Sequence, residues 1–236
     1  MAFLTDPDVP FAPLPEPGRP PRQLAAGLQL FAPNRRTQGG SSWLLAGDPA
    51  CGQPELLVDV PAWSEANLAV LDQRRDAVGA DAGLIVLTSR EGHGELRRWQ
   101  QRLGWRVLVQ QQEAYLLPGV APMDAFADTL EPAPGVRLLW TPGPTPGACV
   151  LHVQRPGLDG LFCGRLLVPV APGQVAPLRT ARTFHWPRQM ASLARLRDWL
   201  PAGSPDWIAS GAGLGALRGQ HLVANGAELL RSRALQ

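Results

Sequence analysis

Apolar and polar residues alternate along this chain in a pattern that predicts two β-rich halves, each with its own helices. In the first half, short apolar runs bounded by turn residues predict five strands: Leu24–Phe31, Trp43–Ala46, Glu55–Val60, Leu84–Leu87 and Arg106–Gln110. Apolar residues at helical spacing after Ser64 predict one helix, and a second helix ends at Gly104.

The second half has a similar pattern. Four further apolar runs predict strands: Val136–Trp140, Ala148–Gln154, Leu161–Cys163 and Trp207–Ala209. A helix begins near Pro187, because proline is favoured at the first helical position, and a last helix is predicted over 216–230. The pattern alone therefore indicates a mixed α/β fold in a single domain over residues 23–236.

Seven prolines in residues 1–22 predict an extended arm ahead of this domain, since proline is excluded from helix interiors and inner strands. Two interpretations stay open for the arm. It is either a docking peptide for a partner protein, or a segment that is disordered or held against its own domain.

Composition narrows the class of protein. The chain has 236 residues, of which 45% are hydrophobic and 18% charged, so a large core is expected. The net charge of +2 argues against nucleic-acid binding. Three cysteines without metal-ligand spacing favour reduced thiols, and no apolar run approaches the roughly 20 residues that span a bilayer. We expect a soluble cytoplasmic protein.

Four segments carry the candidate chemistry: Thr88–Gly94, Thr141–Gly147, Leu161–Arg165 and Trp207–Gly213. In this order and at these distances they resemble the motifs of the metallo-β-lactamase fold family. The resemblance implies a four-layer αββα sandwich of two mixed β-sheets flanked by helices. The runs Thr183–Gln189 and Gln110–Gly119 are similar to a degenerate branch of β-lactamase-like proteins from photosynthetic bacteria, in which the metal motifs are eroded.

In active members of that family, histidines and aspartates in these motifs hold one or two metal ions, which activate a bound water. Seven positions here correspond to those ligands: Ser89, Glu91, His93, Gly94, Pro144, Arg165 and Ala212. Only Glu91 and His93 coordinate metal well, whereas a catalytic site usually has three protein ligands. We therefore expect no metal cofactor; zinc or iron is expected only if an atypical site has replaced the usual one.

The replacements suggest two further candidates. Arg165 either pairs with Glu91 across the former metal site or extends to solvent, and the sequence leaves both open. The segment Pro177–Gln189, at the start of the predicted helix, contains three candidate anion-binding arginines, namely Arg179, Arg182 and Arg188. In that segment His185 is either an acid–base group or part of an ordered strap, with Phe184 and Trp186 in the core.

The first functional interpretation is a catalytically degenerate member of this fold, a pseudoenzyme that binds a small molecule or a protein partner. Its remodelled pocket would contain Glu91, His93, Arg165 and His185. The alternative is a metal-dependent hydrolase with an atypical or single-metal site. A third interpretation is a scaffold protein that docks through residues 1–22.

Overall fold

Two mixed β-sheets pack face to face, with helices on their outer sides. The computed structural model describes residues 15–79, 81–213, 215–217 and 219–232. This architecture confirms the four-layer αββα sandwich expected from the sequence. Among the described residues, the helices are α1 (Glu65–Val78), α2 (Leu96–Leu103), α3 (Gln111–Ala114), α4 (Trp186–Trp199) and α5 (Gly226–Arg231).

The first sheet has seven strands whose spatial order follows the sequence: β1 (Arg22–Ala25), β2 (Leu28–Asn34), β3 (Gly40–Leu45), β4 (Glu55–Val58), β5 (Gly83–Val86), β6 (Arg106–Gln110) and β7 (Met123–Phe126). Strands β1 to β4 pair antiparallel, while β4 to β7 pair parallel. The parallel part needs crossover connections, which α1 and α2 provide.

The second sheet has six strands: β8 (Thr129–Ala133), β9 (Val136–Trp140), β10 (Cys149–Arg155), β11 (Leu158–Phe162), β14 (Trp207–Ala209) and β15 (Val223–Ala224). Their spatial order is β15-β14-β11-β10-β9-β8, and β11 pairs parallel with β14. A separate two-stranded ribbon consists of β12 (Val168–Ala171) and β13 (Gln174–Ala176).

Two hydrophobic clusters hold these layers together. The larger one lies mainly between the sheets, where Trp43 and Phe162 meet edge to face with ring centroids 6.0 Å apart. The smaller one joins the first sheet to α1 and α2 through Leu71, Trp99 and Leu103, all fully buried. Each such side chain contributes about 1.5–3 kcal/mol when it is buried.

Two sequence predictions differ from the structure. The run Leu24–Phe31 is a hairpin of β1 and β2 rather than one strand. The helix predicted over 216–230 is wrong, because residues 223–224 pair with β14 and α5 begins only at Gly226. Asn225 has a φ of 59°, which interrupts helical geometry just before α5. The apolar spacing there serves a strand and a short helix in succession.

The described part of the proline-rich arm contacts the start of α1. The carbonyl oxygens of Glu16 and Pro17 accept hydrogen bonds from the backbone N–H groups of Glu65 and Ala66, at 2.8 and 3.1 Å. These two donors lack partners inside the helix, so the arm acts as part of its cap. In the described part of the chain, no helix is both long and apolar enough to cross a membrane.

Candidate functional site

The four motif segments meet at one edge of the sandwich, where β4, β5, β11 and β14 end. Backbone hydrogen bonds hold this arrangement: Gly211 donates to the Gly164 carbonyl oxygen at 2.8 Å, and Cys149, two residues after the second segment, donates to the Thr88 carbonyl oxygen at 2.8 Å. Residues far apart in the sequence therefore face one small region. This edge is where the family resemblance places its metal ions.

A buried carboxylate also ties the first two motif segments together. Glu113 in α3 is fully buried, and its Oε1 accepts hydrogen bonds from Arg90 Nε and from the backbone N–H of Gly147, both at 3.1 Å. Arg90 follows β5, and Gly147 closes the proline-rich turn before β10. The Glu113 carboxylate thus connects both turns through its own hydrogen bonds, without a metal ion.

Asp59 forms the floor of the region and was missed by the sequence analysis. Its carboxylate accepts hydrogen bonds from the backbone N–H of Thr88 at 2.8 Å and from its hydroxyl at 2.7 Å. Burial raises the pKa of Asp59 to about 6 in spite of these bonds. An acidic residue directly after the apolar strand β4 was the signal that could have identified it.

Arg165 occupies the centre of the region. Its Nε lies 2.5 Å from Glu91 Oε2, and its Nη2 donates to the carbonyl oxygens of Thr37 and Gln38 at 2.9 and 3.2 Å. The Glu91 and Arg165 side chains are only 12% and 21% exposed. Of the two alternatives left by the sequence, the structure has the ion pair.

The pair leaves almost no room beneath it. The cavity bordered by Asp59, Thr88, Glu91 and Arg165 has a volume of about 10 Å³, which holds one water molecule at most. Within the described ranges, no three His, Cys, Asp or Glu side chains converge as metal ligands. A guanidinium that carries permanent charge fills the place of a ligand, so the residues present do not fit the family's metal.

His93 does not face the Glu91–Arg165 pair. It lines a separate cavity of about 350 Å³ together with Leu96, Leu117 and Val120. Burial lowers its pKa to about 4, so the imidazole is neutral at pH 7. Its Nε2 has no hydrogen-bond partner among the described residues. The two best candidate ligands from the sequence therefore lie on different cavities.

A larger groove opens beside the ion pair, with a volume of about 510 Å³. Its described lining combines the motif edge, the ribbon and the loop before α4: Glu91, Pro144, Arg165, Val168, Pro169, Leu178, Thr180, Ala181, Arg182, Thr183, Gln189, Ala212 and Gly213. Arg182 Nη1 donates to Gln38 Oε1, while Arg165 binds the carbonyl oxygen of the same residue. Two guanidinium groups therefore converge on Gln38.

The other candidates in the segment Pro177–Gln189 lie outside this lining, and Arg188 belongs to the first turn of α4 rather than to the loop before it. Arg179, Arg188 and His185 are exposed. His185 caps α4, with its Nδ1 accepting the backbone N–H of Arg188 at 3.2 Å. The strap alternative placed Phe184 in the core, but this side chain is 50% exposed, because the segment turns outward before the helix begins.

A buried Ser–His–Asp group elsewhere does not form a catalytic triad. His152 Nε2 lies 2.8 Å from both Ser204 Oγ and Asp159 Oδ1. A triad needs the serine and the acid on opposite ring nitrogens, so that the acid orients the base. Here both partners share one nitrogen, and Ser204 also donates to Asp159 at 2.7 Å. The group is a structural hydrogen-bond network.

Comparison with known proteins identifies the fold but no close relative. No protein-family model matches the chain, and no curated protein matches it. Solved structures do match across most of its length. An archaeal metallo-β-lactamase superfamily protein from Sulfolobus tokodaii is 18% identical, with a TM-score of 0.59 over 86% of this chain and 83% of that one.

Two metallo-β-lactamases give similar values. DIM-1 is 14% identical with a TM-score of 0.63, covering 91% of this chain and 94% of its own. SMB-1 is 20% identical with a TM-score of 0.58, covering 90% and 91%. Identities this low speak to architecture and not to activity. The chain therefore has the metallo-β-lactamase fold.

Proposed function

We propose that this protein binds a small organic anion in the groove beside Arg165 and acts through binding rather than through metal-dependent hydrolysis. The observation that carries the proposal is the position of Arg165. Its guanidinium pairs with Glu91 at 2.5 Å in the place where the fold family holds metal, and it also lines the groove of about 510 Å³. The volume is in the usual range for small-molecule sites.

The charge of the lining supports an anionic ligand. Among its described residues the charged ones are Arg165, Arg182 and Glu91, so two cations face one carboxylate. Both guanidinium groups bind Gln38, Arg165 through the backbone carbonyl oxygen and Arg182 through the side-chain Oε1. Because Glu91 pairs with Arg165, one positive charge remains for a carboxylate or phosphate to neutralise, and the planar fork of arginine matches either group in a bidentate contact.

The proposal is tested by titrating the purified protein with acetate, citrate and inorganic phosphate, following binding by calorimetry and amide chemical shifts. We expect Arg182→Gln to weaken binding about tenfold or more, because a charge-assisted hydrogen bond contributes about 1.5–3 kcal/mol. Arg179→Gln is the matched control: it removes the same charge from the same loop, but Arg179 lies outside the described lining.

Three results would count against the proposal. One is the absence of binding by every anion, and a second is equal weakening by both substitutions. The third is zinc or iron at one equivalent in protein purified without chelator, together with a rise in Tm when that ion is added. This last result would favour the hydrolase alternative.

A further inference from the structure

The outer wall of the groove is apolar, and a purely polar anion would make no favourable contact with it. Val168, Pro169 and Leu178 line the groove, and Leu178 is 50% exposed. Leu178 and the partly exposed Val168 therefore give the groove an accessible apolar wall on the same cavity as its charged residues.

We propose that the ligand is an amphiphilic anion, with a carboxylate or phosphate head and a hydrocarbon body. This inference rests on the anion site proposed above and specifies its ligand. The head lies against Arg165 and Arg182, and the hydrocarbon body lies along Val168, Pro169 and Leu178. The groove places both kinds of surface on one continuous cavity.

The distribution of polar groups supports this orientation. The charged lining residues Glu91 and Arg165 come from the motif edge, and Arg182 is tied to that edge through Gln38. The ribbon that carries Val168 and the start of the loop at Leu178 contribute no charge to the described lining. A ligand with charge at one end and hydrocarbon at the other fits this division.

The length of the ligand's hydrocarbon chain tests whether that chain contacts the apolar wall. Burial of one methylene against an apolar wall strengthens binding about fourfold. Affinity should therefore rise about fourfold per added methylene through acetate, butyrate, hexanoate and octanoate until the body outgrows the wall. Inorganic phosphate, which has nearly the charge of an alkyl phosphate but no hydrocarbon, should bind no more tightly than methyl phosphate.

The experiment titrates these carboxylates, the corresponding alkyl phosphates and hexanol into the full chain, below the concentrations at which the longer ones aggregate. Leu178→Ser should flatten the dependence on chain length and leave acetate binding unchanged. Phe184→Ser is the matched control, because Phe184 has the same 50% exposure but lies outside the described lining. The two head groups are compared at equal chain length to identify which one the arginines prefer.

The outcomes separate this inference from the function on which it rests. If anions bind with the same affinity at every chain length, the amphiphile is wrong and the anion site stands. If Leu178→Ser and Phe184→Ser flatten the series equally, the assigned wall is wrong. If hexanol binds as tightly as hexanoate, the arginines do not select an anion and both proposals fail. They also fail together if none of the compounds binds.

Discussion

Replacing Arg165 with methionine tests whether the ion pair between Arg165 and Glu91 stabilises the edge of the sandwich. The substitution keeps an apolar stem of similar length and removes the guanidinium. It leaves the Glu91 carboxylate, only 12% exposed, without its cation. It also leaves the carbonyl oxygens of Thr37 and Gln38 without the Nη2 donor, which lies 2.9 and 3.2 Å away from them.

The expected loss follows from the burial of the pair. Breaking a fully buried ion pair costs about 3–5 kcal/mol, whereas an exposed pair contributes up to about 1 kcal/mol. The Arg165 and Glu91 side chains keep 21% and 12% of their surface exposed, so solvent screens part of the interaction. We expect Arg165→Met to lower the free energy of unfolding by about 2–3 kcal/mol, which lowers Tm by about 8 °C in a chain of this size.

Urea denaturation at pH 7 measures this loss, with Arg106→Met as the matched control. Arg106 pairs with Asp124 at 3.0 Å, but these side chains are 56% and 51% exposed. The control should therefore lose under about 1 kcal/mol. A double-mutant cycle with Glu91→Met isolates the pair itself. A loss in Arg165→Met no larger than that of the control, or a coupling free energy of zero with Glu91, would show that the ion pair does not stabilise this edge.

Three further predictions concern the same edge and the helix beside it. Gly92→Ala should lower the free energy of unfolding, measured in urea, by about 3 kcal/mol, because the added Cβ would lie 2.1 Å from Asp59 Oδ1. Gly215→Ala is the control: its Cβ would meet no atom within 4 Å, so its effect should be close to zero. The folded-state pKa of His93 is lowered to about 4, so its contribution to stability is present near neutral pH and is lost as pH falls. In the parent, the free energy of unfolding should therefore rise by about 2 kcal/mol from pH 4 to pH 6, whereas in His93→Gln this rise should be absent. Equal pH profiles of stability for the two proteins would contradict this. Ser64→Ala removes the N-cap of α1 and should lower the free energy of unfolding by about 1 kcal/mol; an unchanged urea midpoint would exclude a capping role.

Much of the fold could be predicted because its signals are local. The apolar run Leu84–Leu87 and the turn residues of Thr141–Gly147 can be recognised from residues that are adjacent in the sequence. The C-terminal helix was wrong for the same reason. The local pattern of apolar residues over 216–230 predicts one helix, but pairing with Trp207 in β14 favours a strand at Val223–Ala224.

The groove could be predicted only in part, because its contacts are long-range. The pairing of Arg165 with Glu91 was accessible, since both residues stand at motif positions that converge in the fold. The contact between Arg182 and Gln38 joins residues 144 positions apart, and no local pattern indicates it. For the same reason Arg182 was not distinguished from Arg179, although only Arg182 reaches the described lining.

The backbone needs glycine at several motif positions, whether or not a metal ion binds. A Cβ on Gly164 would lie 2.8 Å from Thr88 Oγ1, and a Cβ on Gly143 would lie 2.3 Å from the Cα of Gln189. Both glycines also have positive φ angles, of 52° and 147°. The backbone needs these residues whatever chemistry the site performs, so their presence reports the fold alone. No backbone requirement of this kind fixes the residue at 165, so the proposed binding role rests on side chains such as Arg165 and not on the motif glycines.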